Sequence, residues 1–228
     1  MTGRASNETS AATRERLTRR RVVAAALAVV DRDGLEGLTM RALGRELGVD
    51  PMAAYHHVPS KAAILQGVVE AILAEIPLPP ADAAMSWQDG LRLIAHSYRQ
   101  ALLAHPNALP AASTQPPLTP SSLELIETAA TLLVRGGLRP LEALECINGM
   151  AILVIGSTLV EVGVTPGSEP IEQQTIEGVY AGLSPEAFPT LTAIMAAADP
   201  ASFDSDRQFE RLLDAYVRGL EAQVGERA

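Results

Sequence analysis

Apolar residues recur every three or four positions along most of this chain, and no run alternates apolar and polar between turn signals. The pattern predicts an all-α fold. Residues 18–61 divide into three short helices, with a tight Gly-containing turn between the second and third. Ile64, Leu65, Val68, Val69, Ile72 and Leu73 mark one face of a helix over 60–76. Ser86 is positioned to cap a helix running to about Ala104, with Asp89 completing a capping-box-like pair. Helices are also expected over 120–135, 140–162, 185–198 and 204–224. Pro and Gly punctuate the rest. Residues 77–85 are a break, 105–120 a short helix plus loop, and 163–184 are expected to be partly loose.

The sharpest local signals lie around the turn. Thr39 precedes MRALGREL as an N-cap, and Gly48 follows Leu47, where helices often end in a left-handed residue. Asp50 caps a further helix over about 51–57, and Pro51 suits its first position. Pro59 ends that helix and Ser60 caps the next. Leu43, Leu47 and Val49 supply apolar contacts, and Gly44 is small where two helices must approach. A lone Gly turn between helices is common in helical proteins. Here caps, small residues and apolar positions agree throughout 18–61, which is the layout of a helix-turn-helix DNA reader.

Charge fits that reading once it is divided. The net charge is −9, but residues 1–61 carry 10 Lys/Arg against 7 Asp/Glu, and residues 62–228 carry 8 against 20. The positive end is where phosphate would lie. Arg14, Arg16, Arg19, Arg20 and Arg21 cluster there, either as a solubilising arm or as phosphate and minor-groove contacts. The 228 residues, 47% hydrophobic, suffice for one small and one larger domain. The expected division is a flexible basic arm over 1–17, a DNA-binding domain over 18–59, and an effector-binding and dimerisation domain over 60–228. One cysteine, and no apolar segment at the N-terminus, point to a reducing cytoplasm.

GLTMRALGRELGVDPMAAYHHVPSKAAIL resembles the N-terminal signature of the TetR family of bacterial transcriptional regulators, through Thr39, Gly48, Tyr55 with His57, and Lys61. The tail over 188–224 resembles the subgroup that includes the tetracycline repressor. The resemblance implies an all-helical homodimer that binds double-stranded operator DNA and is released by a small molecule. Thr39, Arg41, Tyr55 and Lys61 are then expected to hold phosphates. Pro51, Met52, Ala53 and His56, with His57 beside them, are expected near base edges. The tetracycline repressor uses a histidine after its fifth helix to hold a magnesium–drug complex. Ala112 falls near that place, so no metal and no cofactor are expected.

CINGMAILVIGSTLV, residues 146–160, is uncharged, too short for a membrane helix, and reads as buried almost all round. Gly149 and Gly156, seven apart, share one face. With Leu213, Tyr216 and Leu220 of the last helix they are candidates for an interface between two subunits; the alternative is two ordinary core helices. Tyr98, His105, Asn148 and Ser157 are candidate effector contacts, although a protein or water partner would also satisfy each. An enzyme finds little support. No phosphate loop or nucleophile elbow is present, His56 and His57 diverge on their helix, and Cys146 lies in an apolar run. A ligand-gated repressor is the expected function, with activation, or constitutive DNA binding without a ligand, left open.

Overall fold

Every regular element among the described residues is helical, as the spacing predicts. The computed structural model describes residues 17–55, 57–79, 85–115, 118–163, 178, 182–197 and 204–225, with residues 54 and 55 as backbone only. The arm over 1–16 and most of 163–184 therefore lie outside the described residues.

Three helices build the reader: α1 (Arg19–Gly37), α2 (Met40–Leu47) and α3 (Pro51–Tyr55). Thr18 caps α1 by accepting from the Arg21 N–H at 3.3 Å. Val22, Val23, Ala26, Val29 and Val30 form its buried stripe. The regular helix breaks at Gly34, whose φ of 71° and ψ of 178° suit glycine alone, and one more turn follows. Helix α4 (Lys61–Leu73) packs on α1, with Ile64, Val68 and Ile72 joining the same core as Leu43, Leu47 and Val58.

The larger part contains α5 (Trp87–Ala104), a 3-10 turn (Pro106–Ala108), α6 (Leu109–Thr114), α7 (Pro120–Arg135), α8 (Pro140–Val162), α9 (Pro189–Ala197) and α10 (Ser205–Gly225). Helices α5, α7, α8 and α10 pack side by side. Ser86 accepts from the Asp89 N–H at 3.1 Å and donates to the Asp89 carboxylate at 2.6 Å, so the reciprocal bond joins side chains rather than returning to the cap backbone. Helix α9 begins at Pro189, not at residue 185, because Ser184 closes a turn that holds the Ala187 and Phe188 N–H groups.

Two expectations about α8 and α10 need correction. Helix α8 is not buried all round: Ala143, Cys146, Met150, Val154 and Thr158 form one buried stripe, while Ile152 and Val160 stand 73% and 78% exposed. Its 23 residues are long and apolar enough to cross a membrane by composition alone, yet it packs along α5, α7 and α10. On α10, Leu213 and Leu220 lie with Phe209 and Val217 in the chain's own core, where they are unavailable to a second subunit.

Candidate nucleic-acid interface and ligand cavity

The local geometry of the reader follows from its caps. Thr39 Oγ1 accepts from the Ala42 N–H at 3.1 Å, Asp50 Oδ1 from Met52 at 2.8 Å, and Ser60 Oγ from Ala63 at 3.1 Å. Gly48 ends α2 with φ 65° and ψ 33°, the left-handed conformation that glycine adopts without steric cost. The chain then reverses tightly enough for the Val49 N–H to reach the Gly44 carbonyl at 3.0 Å. A Cβ on Gly44 would lie 3.0 Å from the Val49 carbonyl oxygen and 3.1 Å from Pro51, which explains the small residue there.

These turns leave Thr39, Arg41, Arg45, Met52 and Lys61 exposed, Met52 at 65%. Pro51, Ala53 and His57 are half-buried, and His57 lies beyond α3 instead of closing it. His56 and the Tyr55 side chain lie outside the described residues. Arg45 joins these candidates. Its spacing of four from Arg41 puts both on one exposed helix face, a signal the sequence does carry.

A cavity of about 140 Å³ lies in the larger part, where five helices converge. Val69 and Leu73 of α4 form one wall. Leu91, Ile94 and Tyr98 of α5, Ala112 and Gln115 beside α6, and Leu125 and Ile126 of α7 form others, and Ile147, Asn148, Met150 and Ile155 of α8 complete it. Tyr98 and Asn148 thus meet here as candidates. His105 and Ser157 do not. Ser157 donates to the Val154 carbonyl at 3.0 Å and borders a separate hollow near Phe209 and Leu212.

His105 follows α5 and sits between the two parts of the molecule. Its Nδ1 lies 3.0 Å from the Asp31 carboxylate of α1, and its Nε2 lies 3.2 Å from Glu75, just past α4. Asn107 adds a bond from its amide to the Asp31 carbonyl at 2.8 Å. The sequence offered no hint of this tie, since the three residues are far apart along the chain.

The remaining candidates have local partners. Gly149 accommodates Tyr216 within the same chain: a Cβ there would lie 2.5 Å from the phenolic oxygen, which donates to the Cys146 carbonyl at 2.7 Å. Gly149 and Tyr216 therefore meet each other within one chain, and both remain half-buried. Gly156 faces open space. Burial pushes the Cys146 thiol up from its usual range, aided by Glu142 and Glu145, which opposes any nucleophilic role.

Comparison with known proteins decides the family. Residues 22–68 match the model for bacterial regulatory proteins of the tetR family, and residues 78–224 match the tetracyclin repressor-like C-terminal domain. The chain belongs to the TetR family. Its members are transcriptional regulators, and the enzyme alternative falls on that ground. A class A tetracycline repressor from Escherichia coli is 32% identical over 203 residues, 87% of this chain and 88% of that protein. An HTH-type regulator from Saccharopolyspora erythraea is 32% identical over 154 residues, 68% of this chain and 65% of that protein. Apo ActR of Streptomyces coelicolor superposes with a TM-score of 0.80 at 29% identity, covering 93% of this chain and 98% of ActR. The chain is thus a helix-turn-helix DNA-binding regulator with a tetracyclin repressor-like C-terminal domain.

Proposed function

We propose that this TetR-family protein is a cytoplasmic homodimeric repressor that leaves a palindromic operator when a small apolar effector enters the five-helix cavity. The observation that carries the reading is the course of α4. Its first residue, Lys61, is exposed beside the reader, and Val69 and Leu73 line the cavity. Twelve residues of helix separate Lys61 from Leu73, about 18 Å. A ligand that moves the Leu73 end therefore moves the DNA-contacting end of the same rigid rod. Dimer half-sites lie about 34 Å apart, so a shift of a few ångströms loses fit. Relatives solved with small molecules support a ligand site in this family. ActR has been solved with actinorhodin, and a TetR from Acinetobacter baumannii with minocycline.

The dimer reading rests on faces the chain leaves uncovered. Leu144, Asn148, Ile152, Gly156 and Val160 recur every four residues on the exposed side of α8. Leu212, Ala215, Gly219 and Ala222, three or four apart, lie on the exposed side of α10. Two copies would bury these rows as a four-helix interface. A boundary near residues 59 and 60 would leave the reader in the first part, and α4, the cavity and the interface in the second.

The test is to titrate an effector into the preformed protein–operator complex. A hundredfold preference for the DNA-free state is about 2.7 kcal/mol per site, and linkage makes operator DNA weaken ligand binding by the same factor. Equal ligand affinity with and without operator would exclude the gating scheme.

A further inference from the structure

We propose that the five-helix cavity accepts only uncharged ligands, each with an apolar body and a hydroxyl or carbonyl that hydrogen-bonds Tyr98. This rests on the cavity being the effector site. Among the described residues that line it, none is Asp, Glu, His, Lys or Arg. An ionised ligand group would leave water without a countercharge, at a cost of several kcal/mol even after relaxation. The lining also holds no thiol and no imidazole. A cation carried in with the ligand would therefore meet only neutral oxygens there, a poor replacement for its water shell.

The polar groups are few and neutral. Ser122 is already occupied: its hydroxyl accepts from the Thr119 N–H at 2.9 Å and donates to the Thr119 carbonyl at 2.8 Å. Tyr98 is different. Its hydroxyl has no hydrogen-bond partner among the described residues, although the ring is mostly buried and borders the cavity. The hydroxyl oxygen keeps access to the cavity's solvent, so a ligand oxygen at that point replaces water and bonds a phenol that no protein group occupies. Burial also pushes the Tyr98 phenol up to about 12, so it remains an O–H donor at every physiological pH. The Gln115 and Asn148 amides likewise have no partner among the described residues, and Asn148 is exposed. Both amides add neutral donors and acceptors to the cavity lining.

The experiment uses three probes of one bicyclic shape on the full-length protein: 2-naphthol, methyl 2-naphthoate and the 2-naphthoate anion at pH 7.5. Calorimetry should show binding of the first two and at least a hundredfold weaker binding of the anion. Tyr98→Phe, with helicity and melting temperature checked, should weaken both neutral probes about fivefold, one hydrogen bond's worth. Comparable affinity for the anion, no binding by either neutral probe, or no effect of Tyr98→Phe would each overturn the assignment. Operator affinity is then measured with the bound neutral probe. Binding without any change at the operator leaves the ligand class standing and defeats the gating reading instead.

Discussion

Lys61 is the chain's single lysine, and it stands in the first turn of α4, where free N–H groups and the helix dipole also favour phosphate. Lys61→Ala should weaken binding to all DNA sequences and lower the slope of log affinity against log salt by about one. Met52 behaves differently because its exposed thioether carries no charge for phosphate. Met52→Ala should change which operator is preferred and leave the salt slope alone. Filter binding across 50–200 mM salt separates the two, and an unchanged slope in Lys61→Ala would refute the phosphate assignment. Two of the four tyrosines make a second residue-scale prediction. Burial raises Tyr98 to about 12 and, with the Cys146 contact, raises Tyr216 to about 12. The neutral phenol is the form the fold prefers, so this contribution is complete below the ordinary value near 10 and is lost as pH climbs through 12. Ultraviolet titration should show two late phenolate steps, and melting temperature should fall over that window in wild type more than in Tyr98→Phe.

At the scale of elements, α5 and α10 show how polar and apolar positions divide the labour. Along α5, Gln88, Arg92, His96 and Arg99 meet Glu221, Asp214, Glu210 and Asp206 in antiparallel order. Arg99 is the buried member. It holds Glu161 at 2.6 Å and Asp206 at 2.7 Å, with its guanidinium 4.9 Å above the Phe209 ring. The exposed pairs fix register more than they add stability. Helix α8 makes the opposite use of its surface, leaving an apolar row open. Gly156→Arg should disrupt that row without touching the chain's own core, since Gly156 is exposed and a Cβ there meets nothing within 4 Å. The expected outcome is a folded monomer with weakened operator binding. Sedimentation equilibrium checks it, and a wild type that is already monomeric at micromolar concentration would remove the basis for the dimer.

For the whole molecule, the reader and the ligand domain are joined by α4 and by His105. One ring nitrogen of His105 meets Asp31 of α1 and the other meets Glu75 beyond α4. His105→Ala removes both ties while leaving the cavity lining intact. Ligand affinity in the absence of DNA should stay within about twofold, whereas the factor by which operator and ligand oppose each other should fall several-fold. A variant with unchanged coupling would assign the transmission to α4 alone.

The amino-acid sequence determined the helical class, the bounds of most helices and the reader, because caps, glycine turns and apolar spacing act within a few residues of one another. Thr39, Gly44, Gly48 and Ser60 do in the fold what their positions predict. What it left open are relations between distant segments. The tie of His105 to Asp31 and Glu75, and the pairing of Gly149 with Tyr216, follow from how helices cross. The same holds for Leu213 and Leu220. Helical spacing shows that they share a face, but only packing against α5 and α8 decided that this face turns inward. Periodicity fixes which residues lie on one side of a helix; the tertiary arrangement fixes what that side meets.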